Sequence, residues 1–422
     1  MRSLVRLRFL GGVNEVGRSS LFVQGDRSGV LLDCGVGVNH ETRFPMYISP
    51  KMFECIVLSH CHLDHIGATP IFFIGGEKKV LGTPLTKELS EIVELDFLKV
   101  THGYLPFEVL EVRRMFDSYV DTPNGKTVDV SEDFELSLMD SGHAPGGSQV
   151  YLRTDGRGVL YTGDINLRPT RLLPGAHLDR ERNVDLLIME ATYASVAHPE
   201  RKKVEDEFVE KCRSVVETGG TVLVPAFGVG RSQEILCVLK AHDFPYAVYI
   251  DGMARKVNEV LMRHQECLAD PELFVEAVTH ANWMTSDTER KAAAESPGVI
   301  VTPAGMLKGG PASVYSKRVA RDKKSAIFLV SYQVEGTPGR VLQEKKVLPI
   351  GGENIKVKAK VQSFDFSSHC GREEYIEILN VLRPEKAFIV HGSKENCNFL
   401  FSKCEELGIK GIIPELGKEY VA

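Results

Sequence analysis

The sequence predicts an α/β protein in which a β-rich portion is interrupted by a parallel α/β segment. Short β-rich runs with alternating polar and apolar residues come first, continuous apolar strands alternate with helices from about residue 200, and alternation returns near residue 355. Strands that are apolar throughout are typical of a parallel sheet covered on both faces, whereas alternation is typical of strands with one buried face. We therefore predict a β-rich domain formed by residues 1–195 and 366–422, with residues 196–365 as an inserted domain.

The composition is that of a soluble globular protein. The chain has 422 residues, enough for about two or three domains, and it is 43% hydrophobic and 26% charged. Its net charge of -6 gives no overall field that would attract nucleic acid or anionic lipid. Arginines interrupt the N-terminal apolar run, and no run is long enough to cross a membrane. Nine scattered cysteines without a CxxC pair predict reduced thiols, and we expect a cytoplasmic protein with no membrane contact.

The β-rich portion begins with runs that predict antiparallel strands: LVRLRFL (4–10), SSLFVQG (19–25) and GVLLDCG (29–35). A short buried strand, ECIVLS (54–59), follows, and the next segment, DHIGATPIFFIGG, predicts a helix entered at Asp64. A charged helix is expected at 84–100.

Later strands of the β-rich portion are predicted at 127–140, 148–154, 158–164, 184–190 and 386–393. In the inserted segment, an amphipathic helix ends at a Gly pair and precedes the apolar strand TVLVPAF (221–227). Further apolar strands are predicted at 247–252, 298–305 and 325–332.

Four potential metal ligands follow the strand at 54–59 within six positions: His60, His62, Asp64 and His65. Side chains alternate along an extended chain, so His60 and His62 point the same way and can bind one ion. Asp64 and His65 lie one turn further along and can reach a second ion. Histidine with carboxylate is the ligand set that zinc favours. The alternative is that each histidine has its own hydrogen-bond partners in the core or on the surface, and this clustering disfavours it.

Three further polar residues stand at the ends of other predicted strands. His143 precedes a Gly-rich turn, and Asp164 and His391 each end an apolar strand. A lone carboxylate such as Asp164 is costly to bury without a partner. Each residue alone is either a ligand or a cap, but together with the His60 cluster they favour a metal centre. Asp33, in the same setting, is expected to orient a ligand histidine.

These residues resemble the metallo-β-lactamase superfamily, through the order Asp33, HCHLDH, His143, Asp164. The second half of the chain resembles the β-CASP branch, which acts on nucleic acids. The matching motifs are MEATYAS (189–195), PAFGVGRSQE (225–234), VTPAGMLKGGPA (301–312), SYQVEGTPGR (331–340), FDFSSHCG (364–371) and VHGS (390–393). The N-terminal LGGVNEVGRSS is similar to archaeal relatives of the cleavage and polyadenylation specificity factor endonuclease, in a short form without KH domains. The resemblance implies an αββα metallo-β-lactamase sandwich with an inserted parallel α/β β-CASP domain.

The resemblance also implies a site with two zinc ions per chain. One zinc would take His60, His62 and His143, the other Asp64, His65 and His391, and Asp164 would bridge them. It implies catalytic roles for Asp64, Glu190 and His369, with His369 as general acid and Glu190 holding its ring. From the residues alone, Glu190 is equally a cap of its own strand. The sequence departs from the family pattern at Cys370 and Gly371, the latter standing where an acid is common. Cys61 and Cys370 are expected to be small buried thiols.

Phosphate contacts are local, so an acidic chain can still bind RNA. Arg231 precedes a helix N-terminus, Lys308 lies in a glycine-rich loop and Arg340 adds charge, and we predict that these three contact phosphate. Other basic groups, at 255–256, 318–324 and 356–360, are interpreted mostly as solvated faces.

The predicted function is a two-zinc ribonuclease that cleaves single-stranded RNA, internally or stepwise from the 5′ end, in 3′-end processing or decay. One alternative is a hydrolase of a small thioester, lactone or lactam, although such a substrate needs neither the inserted segment nor the His369/Glu190 pair. The other is a non-catalytic RNA-binding subunit, although such proteins are expected to have lost ligands. By resemblance, the C-terminal tail GIIPELGKEYVA would pair subunits in a homodimer.

Overall fold

The structure is a computed structural model that describes residues 4–37, 43–101, 105–154 and 156–421. The chain forms two compact units. The first unit comprises Met1–Pro169, Gly175–Ala197 and Ser368–Ala422, and the second comprises Thr170–Pro174 and His198–Ser367. The sequence analysis did not foresee that the short segment Thr170–Pro174 lies with the second unit.

The strands, numbered along the chain, are β1 (Arg6–Phe9), β2 (Leu21–Gln24), β3 (Gly29–Leu32), β4 (Cys55–Val57), β5 (Lys79–Gly82), β6 (Tyr119–Asp121), β7 (Thr127–Asp129), β8 (Glu135–Asp140), β9 (Ser148–Thr154), β10 (Arg157–Tyr161), β11 (Leu186–Glu190), β12 (Thr221–Pro225), β13 (Val248–Ile250), β14 (Asn282–Trp283), β15 (Gly298–Thr302), β16 (Ala326–Leu329), β17 (Val347–Ile350), β18 (Glu353–Lys356), β19 (Lys360–Ser363), β20 (Lys386–Val390), β21 (Lys410–Ile412) and β22 (Glu419–Val421).

The α-helices are α1 (Leu63–Ile66), α2 (Pro84–Val100), α3 (Val109–Asp117), α4 (Arg201–Glu217), α5 (Arg231–Ala241), α6 (Met253–Leu261), α7 (Pro271–His280), α8 (Asp287–Glu295), α9 (Gly310–Val319), α10 (Pro338–Lys345), α11 (Arg372–Leu382) and α12 (Lys394–Glu406). Short 3-10 helices cover Pro50–Met52, Thr69–Phe73 and Gln265–Cys267.

Two seven-stranded sheets form the first unit. Their strand orders are β22-β1-β2-β3-β4-β5-β6 and β21-β20-β11-β10-β9-β8-β7. Strands β1 to β3 are antiparallel, as predicted. In β1, Leu7 and Phe9 are buried and Arg6 and Arg8 are half-exposed, whereas β3 is buried along its whole length. The tail after residue 409 supplies β21 and β22, and β22 pairs with β1. The last residue of the predicted tail lies outside the described residues.

The inner faces of the two sheets share one apolar core. Leu7, Val23 and Val57 of the first sheet pack in the same cluster as Leu136 and Ile188 of the second. The outer face of the second sheet packs against α11 and α12. On the first sheet, α2 contacts β6 and α3 contacts β5. These layers confirm the predicted αββα sandwich, because each sheet buries one face against the other and one against helices.

The segment after β4 differs from the single helix predicted from Asp64. Helix α1 ends at Ile66, and the chain continues as the 3-10 helix Thr69–Phe73. Pro70 lacks a backbone N–H and restricts the residue before it, which explains why the α-helix does not continue. The charged helix predicted at 84–100 is α2, which begins after Thr83; the Thr83 side chain accepts a hydrogen bond from the backbone N–H of Thr86.

The second unit contains the predicted parallel sheet. Its six strands are in the order β14-β13-β15-β12-β16-β19, and every pair is parallel. Strands β12 and β15 are buried along their whole length, as their apolar sequences predict. A separate antiparallel hairpin is formed by β17 and β18. Among the described residues of the whole chain, no helix is long and apolar enough to cross a membrane.

Candidate active site

The potential ligands stand where strands of the first unit end. His60 and His62 follow β4 of the first sheet, and α1 carries Asp64 and His65. Asp164 follows β10 and His391 follows β20, both in the second sheet. His143 lies in the loop between β8 and β9 of that sheet. Residues far apart in sequence therefore meet because the two sheets bring their strand ends together.

Nitrogens of three histidines and one oxygen of Asp164 form a first group of donor atoms. Nδ1 of His62 lies 3.1 Å from Nε2 of His60 and 3.2 Å from Nε2 of His143. Oδ2 of Asp164 lies 3.7 Å from Nε2 of His60 and 3.6 Å from Nε2 of His143. With metal–nitrogen bonds of about 2.0–2.1 Å, the donor atoms of a tetrahedral zinc site lie about 3.3 Å apart. The four donor atoms thus have the spacing of a metal site.

A second group lies around the other oxygen of Asp164. Oδ1 of Asp164 is 3.3 Å from Nε2 of His65 and 3.2 Å from Nδ1 of His391. Nε2 of His391 is 3.3 Å from Oδ2 of Asp64. Asp64, His65 and His391 therefore form a cluster of donor atoms suited to a metal ion. Asp164, only 3% exposed, directs one oxygen at each group, which is the geometry of a bridging ligand.

Asp33 fixes the orientation of His65. Its Oδ2 lies 2.7 Å from Nδ1 of His65 and accepts hydrogen bonds from the hydroxyls of Ser59 and Tyr161 at 2.7 and 2.8 Å. Oδ1 accepts from the backbone N–H of Ser59. The fully buried carboxylate is thus saturated, and it leaves Nε2 of His65 turned towards Asp164. This is the arrangement that sets the tautomer of a metal-bound histidine.

Two of these residues have a backbone conformation that side chains rarely adopt. Asp33 has a φ of 56° and His391 a φ of 47°. Left-handed conformations in residues other than glycine are concentrated at functional sites, where the surrounding structure holds them. His391 is held by a backbone hydrogen bond from its N–H to the carbonyl of Gly12 at 2.7 Å.

His369 and Glu190 form a third group next to Asp164. Nδ1 of His369 donates to Oε1 of Glu190 at 2.9 Å. Glu190 also accepts from the backbone N–H groups of Ile165 and Thr192, at 3.1 and 3.0 Å, so its carboxylate is fixed from three sides. The His369 ring centroid lies 4.4 Å from that of His143, which places the imidazole beside the first group of donors.

The direction of the pKa shift differs among the histidines of the site. Burial opposes the charged form of His65 and of His391, but neighbouring carboxylates, Asp164 foremost, outweigh it and raise the pKa of both. Burial, reinforced by neighbouring histidines, lowers the pKa of His60 and of His143 well below the usual range. A neutral imidazole is the form that binds a metal.

Burial also opposes the charged form of His369, but the Glu190 carboxylate outweighs it and raises the pKa of His369. His369 is thereby kept able to carry and donate a proton near neutral pH.

Comparison with protein families agrees with this geometry. Residues 13–193 match the metallo-β-lactamase superfamily, residues 232–342 match the β-CASP domain, and residues 354–414 match the Zn-dependent metallo-hydrolase RNA specificity domain. A relative from Saccharolobus solfataricus, named RNase aCSPSF2, is 41% identical over 98% of this chain and 84% of its own length. The chain belongs to the β-CASP family of the metallo-β-lactamase superfamily.

Other relatives of this β-CASP protein come from Methanocaldococcus jannaschii. One, named probable RNase MJ4, is 34% identical over 97% of this chain and 98% of its own length. Another, named transcription termination factor FttA, is 33% identical over 93% of this chain and 68% of its own length. A crystal structure of an Enterococcus faecalis protein of unknown function shares the fold, with a TM-score of 0.63 and 16% identity, and covers 99% of this chain. Family and side-chain geometry together identify the histidine and aspartate cluster as a metal site.

Sequence reasoning missed several residues that orient the ligand candidates of this β-CASP protein. Tyr161 and Ser59 bind Asp33, as described above. Thr192 places its hydroxyl 3.2 Å from Nδ1 of His391. Asn396 of α12 holds the segment after β11, because it donates to the carbonyl of Thr192 and accepts from the hydroxyl of Ser195. Thr192 lies within the motif MEATYAS and Tyr161 within the strand predicted at 158–164, but nothing in a single sequence shows which distant side chain each one contacts.

The predicted phosphate contacts lie in the second unit. Arg231 is the first residue of α5, which follows β12, and Lys308 lies in the loop between β15 and α9. Arg340 lies in α10, and its guanidinium donates to Oε1 of Glu344 at 2.6 Å. Arg340 is thus engaged by a neighbouring carboxylate, which weakens the case for a phosphate contact at this residue.

The two cysteines next to site histidines are fully buried. Cys61 and Cys370 have no exposed surface, and burial raises the pKa of the Cys61 thiol to about 12. The backbone N–H of Cys370 donates to the carbonyl of Ile165, and that of Gly371 donates to Glu374. Glu374 is therefore the residue that fixes the backbone at Gly371, where the family often has an acid.

Proposed function

We propose that this protein is a ribonuclease that hydrolyses phosphodiester bonds of single-stranded RNA at a centre of two zinc ions. The observation that carries the proposal is Asp164, whose two oxygens face two separate groups of donor atoms. We assign His60, His62 and His143 to one ion, Asp64, His65 and His391 to the other, and Asp164 to both. When bound, such a pair of ions supplies a nucleophilic water and stabilises the charge of in-line displacement at phosphorus.

The chain's own residues supply the remaining step. His369 donates a proton from Nε2 to the departing ribose oxygen, and Glu190 holds the ring through Nδ1. Asp33 orients His65. We assign Asp64 two roles, as a metal ligand and as a catalytic residue. The named relatives support RNA as the substrate, since two of them are called RNases. We propose internal cleavage, with stepwise cleavage from the 5′ end as the alternative, in RNA 3′-end processing or decay.

Several finer features belong to the same proposal. Residues 1–195 and 366–422 would form the metallo-β-lactamase domain, and 196–365 the β-CASP domain. Arg231 and Lys308 would contact phosphates, with a smaller contribution from Arg340. The protein would work in the cytoplasm as a homodimer paired through its C-terminal segment. The position of β22 at one edge of the first sheet supports such pairing, and a monomeric mass by light scattering would refute it.

The test is cleavage of a 5′-labelled single-stranded RNA by the purified protein, with and without a chelator. We expect metal-dependent cleavage that is lost in a His391→Ala variant and retained in a His280→Ala variant, because His280 is an exposed residue at the end of α7. The product ladder separates internal from end-directed cutting. Turnover of a thioester or lactam without RNA cleavage would replace the proposal with a small-ester hydrolase. A metal-loaded protein that binds RNA and cuts nothing would replace it with a binding subunit.

A further inference from the structure

The second unit carries a dense cluster of basic residues in a chain that is acidic overall. Eleven basic and four acidic side chains lie between residues 317 and 360, a net charge of +7 where the whole chain has -6. Ten of the eleven basic side chains are exposed. The rest of the chain is therefore strongly acidic, and the positive charge is concentrated in a short part of the sequence.

Backbone hydrogen bonds join the segments of this cluster into one surface. The N–H of Lys358 donates to the carbonyl of Ala320 at 2.7 Å, and that of Lys360 donates to Ser325 at 3.0 Å. The N–H of Val357 donates to Lys346 at 3.2 Å, and the ammonium of Lys317 lies beside Gly351 in the turn of the β17–β18 hairpin. We call residues 317–325 and 345–360 the hairpin surface.

Most lysines of the hairpin surface lack a carboxylate partner. Among the described residues, the following eight exposed lysines make no ion pair: Lys317, Lys323, Lys324, Lys345, Lys346, Lys356, Lys358 and Lys360. Basic residues elsewhere in the unit are commonly paired, as Lys203 is with Glu200 and Lys240 with Glu276. A surface with an excess of one sign of charge attracts ligands of the opposite sign, and here the excess is positive.

The surface also has room for a ligand and lacks the features of a protein interface. An open cavity of about 580 Å³ is lined by Arg321, Glu353, Asn354, Ile355, Lys356 and Lys358. None of the large hydrophobic side chains that are exposed in the described residues belongs to the hairpin surface. Protein partners usually bury apolar and aromatic residues at the centre of the contact. Exposed lysines without apolar neighbours favour the phosphates of a nucleic acid instead.

The hairpin surface and the predicted phosphate contacts lie at opposite ends of the strands of the parallel sheet. Lys324 stands just before β16 and Lys360 begins β19, so both are at the amino ends of their strands. Arg231 follows β12 and Lys308 follows β15, at the carboxyl ends. The strands have four or five residues, so their two ends are about 15 Å apart. The two sets of basic residues are therefore distinct contacts within the same unit.

We propose that the hairpin surface is a second RNA-binding site, which holds the phosphate backbone of a substrate segment away from the bond that is cleaved. Lysine ammonium groups act as point charges, so this binding is independent of base sequence. The surface contributes affinity for long RNA and nothing to the cleavage of RNA too short to reach it. The inference rests on the proposed function for the identity of the ligand, but its test measures binding separately from catalysis.

The test uses the full chain with His369→Ala, which blocks cleavage while retaining all proposed metal ligands. In this background, Lys317, Lys324, Lys356 and Lys358 are changed to Gln. The matched control changes four exposed lysines elsewhere in the unit, Lys202, Lys203, Lys211 and Lys291, and has the same net charge. Binding of a labelled oligouridylate several tens of nucleotides long is followed by fluorescence anisotropy at several salt concentrations.

We expect the surface variant to bind about tenfold or more weakly than its parent, and the salt slope to fall by about 3 because four phosphate contacts are lost. The control should stay within about twofold of the parent. With His369 restored, the surface variant should cleave a short oligouridylate at the wild-type rate. Equal binding by variant and control would overturn the inference, as would weaker binding to an acidic peptide but not to RNA. If no RNA is cleaved by the wild type, the proposed catalysis fails while the binding comparison still decides the role of the surface.

Discussion

Oε1 of Glu190 accepts a hydrogen bond from Nδ1 of His369 at 2.9 Å, across 179 positions of sequence. The contact links the end of β11 to the loop before α11, so it depends on how the chain returns to the first unit after residue 367. It fixes which ring nitrogen of His369 is directed away from the carboxylate and leaves Nε2 for the substrate.

Replacing Glu190 by Gln should therefore slow RNA cleavage and change its pH dependence. Because the carboxylate raises the pKa of His369, its loss lowers that pKa, and the acid form is then lost at a lower pH. The alkaline limb of the kcat/KM profile should move to lower pH, and His369→Ala should reduce the rate by about 10²–10⁴-fold. Metal content, measured in parallel, should stay at the wild-type value. An alkaline limb that does not move would show that His369 is not the acid.

Metal analysis of single variants should reveal two sites with one shared ligand. We expect two ions per chain in the wild type, from the two donor groups. His62→Ala and His391→Ala should each remove one ion, since each residue belongs to one group only. Asp164→Asn should weaken both, because its oxygens face both groups. Loss of the same ion in both histidine variants would contradict the assignment.

Asp33→Asn should weaken metal binding without removing a ligand. Asn tolerates the left-handed backbone at this position, so the change mainly replaces one acceptor oxygen by a donor. One of the contacts from Ser59, His65 or Tyr161 is then lost. Changes of this kind typically cost about 10–100-fold in metal affinity. Competition with a chromophoric chelator measures the effect, and Tyr161→Phe, which removes one donor only, should give a smaller loss.

The second unit should be sensitive to acid through Glu234. Its buried carboxylate lies 2.5 Å from the guanidinium of Arg201 and also accepts from the backbone N–H groups of Arg171 and Leu172. Burial raises the pKa of Glu234, but Arg201 outweighs it, so the pKa is lowered on folding. The stabilisation is therefore complete above the pKa of the unfolded chain, about 4.5, and is lost as the pH falls through the lower, folded value.

Arg201→Met should destabilise the second unit by about 3–5 kcal/mol, because it leaves the Glu234 carboxylate buried and unpaired. Urea unfolding at neutral pH measures this. The chain's single tryptophan, Trp283, lies in β14, so its fluorescence reports on this unit. The neighbouring exposed Lys202, changed to Met, is the control and should alter the free energy of unfolding by less than about 0.5 kcal/mol. Equal changes in the free energy of unfolding from the two variants would show that the Arg201–Glu234 ion pair does not stabilise the second unit.

The sequence alone predicted those strands, helices and motifs that can be recognised from residues adjacent in the chain. The HCHLDH motif follows a strand, and apolar strands alternate with helices in the second unit, so the fold class was predicted correctly. The motif could not show that Tyr161 and Ser59 meet at Asp33, because those contacts depend on how the two sheets face each other. The helix predicted after Asp64 was too long, since the pattern of apolar residues outweighed the effect of Pro70.

The basic residues of the second unit show the same limit. Sequence reasoning predicted that Arg340 contacts phosphate, and the structure shows that its guanidinium forms an ion pair with Glu344. It interpreted the lysines at 318–324 and 356–360 mostly as solvated faces, because each run by itself is ordinary. Only the backbone pairing of Lys358 with Ala320 and of Lys360 with Ser325 makes them one surface.

The order of the site residues along the chain has a consequence for synthesis. His369 and His391 both follow residue 367, where the second unit ends, and β22 at 419–421 pairs with β1 near the start of the chain. A nascent chain still held by the ribosome before residue 368 carries His60, His62, His143 and Asp164 but neither of these later histidines. The proposed hydrolytic centre therefore cannot form until the whole second unit has been synthesised, because a shorter nascent chain lacks the proposed general acid His369 and the proposed metal ligand His391.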